Sequence, residues 1–345
     1  MNITVHSSKS VKPASRDRNA QGSFHDGSVI PLSVFDKVTY TEYHAGIYAF
    51  HPPAPPNAAL EAGLAKVLPE YREFAGRLGT DAGGNISSIL LNDAGVRFVE
   101  ATADAALGSV MPPLEMGPEA LGLFPHGGGD EEEAELLLVQ LTRFSCGSLV
   151  VSCNVCHTVA DGPAIGNFML AWGHATLDPP FPVVARDSAS FLFAPHSSKM
   201  LIGVSLAVIE KDTTQDCAKL TKKSATKTVN KDSKGRQEFI NFASSDAVER
   251  ERLVPTADSA ELALSPDVEV DSLLGMPFYD LDFGSGRPFF VPSFGDALVE
   301  GAIYVVPSFV GDGCVDAYVP LFGRHANAFK KCCDAMLSAA ATVFG

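Results

Sequence analysis

No run of this chain approaches the ~20 continuous apolar residues that span a bilayer, which leaves no candidate for a helical membrane anchor. Its first residues, Met1-Asn2-Ile3-Thr4-Val5-His6, lack the basic patch and apolar run of a secretory leader, so a cytoplasmic protein is expected. Basic residues are scarce: 26 Lys and Arg face 41 Asp and Glu, a net charge of −15. That balance argues against nucleic acid and anionic membrane as partners. The seven cysteines are odd in number and lack the regular spacing of a disulfide framework. Cys153-Asn154-Val155-Cys156 has CxxC spacing but no second pair, and its apolar setting suggests core cysteines. A Gly-x-Ser-x-Gly nucleophile elbow is also missing, which disfavours a serine hydrolase.

What is present is enough for a large core. Hydrophobic residues make up 46% of 345, and the length suggests two domains. The first ~25 residues are polar and aperiodic, which predicts a partly disordered terminus. Val38-Thr39-Tyr40 and Gly46 to Phe50 read as strands. Prolines 52, 53, 55 and 56 stop the chain. Asn57 is then a candidate helix cap, and Leu60, Leu64, Val67 and Leu68 share one helical face. Pro69 interrupts, and a further turn is expected from Glu70 to Leu78. Ile86 to Leu91 and Gly95 to Glu100 suggest a hairpin. Leu136 to Phe144 and Ser148 to Val155 are apolar strands, and Ala164 to Ala175 is a helix burying Ile165, Phe168, Met169 and Trp172. Residues 210–237 are lysine-rich without interleaved aromatics, as in a solvated linker or loose helix. Gly301 to Ser308 and Cys314 to Leu321 form a hairpin around Gly311-Asp312-Gly313, and a helix from Ala326 to Leu337 closes the chain.

The chemistry concentrates at His157-Thr158-Val159-Ala160-Asp161-Gly162. Histidine is the natural base near neutrality, with an unperturbed pKa of about 6.5. Here it ends a buried strand, so the strand would fix it while the following loop leaves it reachable. Alone, HxxxD equally fits a core histidine followed by a helix-capping aspartate. It also fits two ligands of a metal, although no neighbour offers a convincing third.

A second motif, Asp282-Phe283-Gly284-Ser285-Gly286, follows more than a hundred residues later. Together the two resemble the HxxxD and DFGWG signatures of the plant BAHD acyltransferases. Tyr71 to Leu78 resembles the family's segment before its first hairpin and Asn92 to Ala101 the strand after it, and Val306 to Gly313 resembles the grass-type members that acylate amines with hydroxycinnamoyl groups. The resemblance implies an α/β fold of two chloramphenicol-acetyltransferase-like domains, with mixed sheets and flanking helices around a channel. His157 would be the catalytic base. Asp161 would hold the loop through a salt bridge, and Gly162 would let the backbone turn tightly. Asp282, Phe283, Gly284 and Gly286 would shape a structural loop far from the histidine.

The implied partners are hydroxycinnamoyl-CoA, as a co-substrate, and a small amine resembling agmatine, putrescine or tryptamine. A monomer with no metal and no permanently bound cofactor is expected. Ser285 replaces the motif's tryptophan, and the interval between Asp161 and Asp282 is shorter than the family's. The expected organisation is therefore an N-terminal domain over 1–195, a shortened segment over 196–238 and a partial C-terminal domain over 239–345. An inactive truncated relative and an enzyme acylating an alcohol stay open as alternatives.

Overall fold

A computed structural model describes residues 1–14, 28–32, 36, 43–110, 122–126, 134–177, 269–293, 301–307, 315–319, 321 and 323–344. The described strands are β1 (Ile3–Val11), β2 (Val29–Pro31), β3 (Tyr43–Phe50), β4 (Arg77–Thr80), β5 (Ile86–Leu90) and β6 (Val96–Ala103). They continue with β7 (Leu137–Phe144), β8 (Leu149–Cys156), β9 (Glu269–Ser272), β10 (Phe289–Ser293), β11 (Ala302–Pro307) and β12 (Val315–Tyr318). The longer helices are α1 (Asn57–Val67), α2 (Gly162–Thr176) and α3 (Gly323–Phe344). The fold class is α/β with mixed sheets.

The first compact unit is built on a six-stranded sheet in the order β1-β6-β7-β8-β3-β10. Only β6 and β7 run parallel; the other neighbours are antiparallel. Strands β7 and β8 are mostly apolar and buried along nearly their whole length because they are central and covered. Helices α1 and α2 are packed together, and Trp172 Nε1 donates to the Leu60 carbonyl at 2.8 Å. Leu60, Leu64, Val67 and Leu68 are all fully buried, as their helical spacing predicts. Phe168 meets Tyr71 and Phe74, closing an aromatic cluster beneath α2. Strands β2, β5 and β4 form a small separate sheet.

Several local expectations change. The polar terminus contains a nine-residue strand, β1, paired along β6. Its polarity reflects an edge position, where one flank and much of the surface face water; residues 15–27 lie outside the described set. The supposed hairpin of residues 86–100 divides between two sheets, because β5 pairs with β4 and β2 while β6 pairs with β1 and β7. The turn between them is pinned by Arg72, whose Nε and Nη2 donate to the Asp93 carboxylate at 2.8 and 2.7 Å. Asp93 (φ 48°) and Gly95 (φ 104°) take the left-handed conformations that redirect the chain.

Glu70 to Leu78 holds only short 3₁₀ turns before β4 begins at Arg77. Asn57 is not a cap: it is the first helical residue, and its side chain bridges Glu100 and Arg143 instead. Cys146 is exposed in the β7–β8 turn, whereas Cys153 and Cys156 are buried and free. Val38 to Tyr40, the 210–237 stretch and the Gly311-Asp312-Gly313 turn lie outside the described residues.

Glu100 ties β1 to the helix layer. It accepts from Ser7 Oγ at 2.6 Å and from Asn57 Nδ2 at 2.9 Å, with Lys9 at 3.6 Å. The hydrogen bonds from Ser7 and Asn57, chiefly, hold its pKa below the ordinary carboxyl value. Its stabilising contribution is therefore complete above the usual carboxyl range and is lost as pH falls through the lowered folded value. The protection of β1 amides, exchange being taken relative to its intrinsic rate at each pH, should fall as the pH drops below the usual carboxyl range, ahead of any fall in β7 and β8. Equal protection of β1 across that range would contradict this role.

The second unit contains, among the described residues, 269–275, 301–307, 315–319, 321 and 323–344. Its sheet has the order β12-β11-β9, with β9 parallel and β12 antiparallel to β11. The closing helix α3 is longer at both ends than its periodicity suggested. Residues 276–293 belong to the first unit, although the sequence order suggests a place in the C-terminal domain. The reason is local: β10 pairs with β3, and Phe283 packs against Phe50 and Trp172.

Candidate active site

Strand β8 carries the chain outward between β7 and β3 and ends at Cys156. His157 follows immediately and is half-buried. A tight turn comes next: Val159 and Ala160 N–H both donate to the Cys156 carbonyl, at 3.0 and 3.3 Å. Thr158, Val159 and Ala160 are buried, so this turn is anchored in the core. Asp161 then caps α2 through Oδ1, which accepts from Ala164 N–H at 2.9 Å. Pro163 occupies the first turn, where its missing N–H costs nothing. The base candidate is thus held between a central strand and a capped helix.

Asp161 and His157 are brought to one turn, but no ion pair to Asp161 is found among the described residues. Its Oδ2 is buried and has no hydrogen-bond partner. Gly162 does not take a left-handed conformation. A β-carbon there would lie 2.7 Å from Met276 Cε, the movable end of a side chain, so the site favours glycine for space rather than for turning.

A residue the linear sequence does not single out stands beside the base. His44 on β3 is in register with Val155 on β8, which makes His157 its diagonal neighbour on the same face. The two imidazole centroids are 4.0 Å apart and the rings meet edge-to-face at 66°. His44 is exposed by area, yet partial desolvation of its ring, and then His157, lower its pKa to about 3. The signal that could have revealed it is the pairing of β3 with β8, which no local pattern encodes. The nearby thiols are not nucleophiles: burial pushes Cys153 up to about 12 and Cys156 upward.

The second motif sits at the other end of α2. Asp282 Oδ1 accepts from the backbone N–H of Gly284, Ser285 and Gly286 at 2.6, 3.0 and 2.9 Å. The two glycines have φ of 99° and 82°, which suits their lack of a β-carbon. Arg287 stacks on Tyr279 at 4.8 Å, and Asp282 draws its partners from its own loop. Phe283 is buried, with ring centroids 4.9 Å from Trp172 and 5.5 Å from Phe50. A β-carbon at Gly173 would meet the Asp282 carbonyl at 2.7 Å, so helix and loop approach backbone to backbone. At ~1.5 Å per residue, that contact lies roughly 18 Å along α2 from Asp161.

The fold thus sets the two sequence motifs at opposite ends of one helix, the histidine before its start and the glycine-rich loop against its last turns. The chain belongs to the Transferase family, the BAHD acyltransferases: the family model matches residues 1–227 and 200–336. Agmatine coumaroyltransferase-1 of Hordeum vulgare is 40% identical over 443 residues, covering 96% of this chain and 99% of the relative. Agmatine hydroxycinnamoyltransferase 1 of Oryza sativa subsp. japonica is 39% identical, covering 96% and 98%. Putrescine hydroxycinnamoyltransferase 3 of the same rice is 35% identical, covering 97% and 100%.

Among solved structures, vinorine synthase matches with a TM-score of 0.60 at 18% identity, over 94% of this chain and 95% of that one. TRI101 of F. sporotrichioides, complexed with coenzyme A and T-2, matches at 0.60 and 15%, over 88% and 97%. These two support the fold. The Hordeum alignment is longer than the 345 residues of this chain, so the relative carries interior residues with no counterpart here. The two family-model matches meet over residues 200–227, inside the 196–238 stretch.

Proposed function

We propose that this chain moves a hydroxycinnamoyl group from its CoA thioester to an amine of the agmatine or putrescine kind, with His157 as general base. The observation that carries the reading is the near full-length similarity to amine hydroxycinnamoyltransferases, joined to a histidine held at a strand end. An aliphatic amine has a pKa of about 10 by analogy with lysine and is mostly protonated near neutrality. The neutral amine attacks the thioester carbonyl, and His157 takes the proton released as the C–N bond forms. The C–S bond then breaks, and His157 returns the proton to the departing thiolate. The products are an amide and free CoA.

In this reading Asp161 acts on structure, capping α2 and so fixing the turn that carries His157. Gly162 leaves room for Met276 beside that turn. Asp282, Phe283, Gly284 and Gly286 seat the far end of α2. Acyl-CoA is a co-substrate. The shortened interior favours a second reading, a family member that folds but does not turn over. An alcohol acceptor is the third possibility.

One assay separates them. Purified chain is given p-coumaroyl-CoA with agmatine, putrescine, tryptamine and a set of alcohols, and free CoA is measured. Release with agmatine or putrescine, several-fold above the alcohols, is expected. Release with alcohols alone would move the reading to O-acylation, and none at all would leave the non-catalytic one.

A further inference from the structure

We infer that His44 is a positioning residue for His157, bracing the base edge-to-face across the β3–β8 ladder. The inference rests on the acyltransferase reading above for its link to catalysis, but its geometry stands independently. His44 faces Val155 in register, and the diagonal cross-strand relation brings its ring to 4.0 Å from that of His157. A base that must accept and return a proton within one turnover needs a fixed ring direction. The strand ends one residue before His157, so the ladder itself no longer fixes that side chain. The neighbouring imidazole forms one wall beside it.

The pairing also has an electrostatic sense. Two imidazoles in contact do not both carry charge readily, since each positive ring repels the other. Desolvation and the neighbouring ring lower the pKa of His44, so a proton taken up by the pair favours His157. A neutral ring in edge-to-face contact leaves the charge that forms on His157 unopposed. An aliphatic side chain at position 44 would not offer that aromatic contact, and a cation there would oppose the charge that forms on the base.

The substitutions His44→Ala, His44→Phe and His44→Lys test this in the full chain, with two readouts. The first is histidine ring NMR, in which His157 should show contacts to His44 and a dispersed ring shift. That shift should collapse towards a free value in His44→Ala and persist in His44→Phe. The second is CoA release, in which His44→Ala should lower kcat roughly 3–10-fold, the size of an aromatic pair, with KM for the thioester unchanged. His44→Phe should restore most of the rate, and His44→Lys should fall below His44→Ala.

An Ala variant with an unmoved His157 signal and full kcat would overturn the inference. So would a Phe variant as slow as Ala, since the ring contact would then not be what matters. If the His157 signal responds as expected but no variant, nor the unsubstituted chain, releases CoA, the brace stands and the catalytic reading falls.

Discussion

His157→Ala is expected to lower kcat by a factor of about 10²–10⁴, with the folding midpoint almost unchanged. The size follows from what the side chain does. An amine attacking a thioester becomes strongly acidic as the C–N bond forms, and without a base nearby the proton must go to water. Among the described residues around the turn, no other group can take that role. Cys153 and Cys156 are buried thiols pushed away from ionisation. Asp161 is occupied at one oxygen by the helix N-terminus. His44 is the nearest alternative, but its depressed pKa makes it a poor proton acceptor near neutrality.

The stability side follows as well. His157 is half-buried at the end of a strand whose ladder is complete without it, so removing its ring should cost at most about 1 kcal/mol. The measurement pairs steady-state CoA release with a urea titration of the same samples. A rate within twofold of the unsubstituted chain would remove His157 as the base. A large fall in midpoint would show that the histidine serves the fold.

Much of this architecture can be read in the residues because burial on both faces leaves an unmistakable mark. β7 and β8 are mostly apolar and buried almost throughout, and α2 shows its buried face as Phe168, Met169 and Trp172 at helical spacing. What stays hidden is long-range. β1 is polar because it is an edge, and only its partner β6 makes it a strand. The break between β5 and β6 follows from an Arg72–Asp93 clasp made across 21 residues, not from the turn composition alone. Asn57 looks like a cap by position, yet Glu100 and Arg143 claim its side chain. The same division holds at the site. His157 and Asp161 are close in sequence and carry a family signature. His44 lies more than a hundred residues earlier and becomes a neighbour only through strand pairing.

The second large effect should come from Phe283→Ala, which is expected to destabilise the first unit by about 3–4 kcal/mol. Phe283 is 2% exposed and lies between Phe50 on β3 and Trp172 on α2, so its removal leaves a cavity lined by two rings. Those rings are held from behind: Trp172 by its hydrogen bond to Leu60, and Phe50 by its strand. Partial collapse is therefore the most the site can achieve, and that keeps the cost high. Against a total of about 5–15 kcal/mol for an ordinary domain, the loss is a large share.

Asp282→Ala should cost less, about 1–2 kcal/mol. Two of the three N–H groups it frees belong to exposed glycines that water can reach. This ordering assigns the motif's stabilising effect mainly to its phenylalanine and the loop's shape to its aspartate. Trp172 is the sole tryptophan of the chain and sits against Phe283, so its fluorescence reports the event directly. Urea midpoints read from that signal should fall in the order unsubstituted, Asp282→Ala, Phe283→Ala. A Phe283→Ala midpoint equal to that of the unsubstituted chain would mean the loop does not dock on α2. Because that contact lies roughly 18 Å along the helix from Asp161, the folded fraction of either variant should keep its kcat at low temperature, with the loss confined to the amount of folded protein.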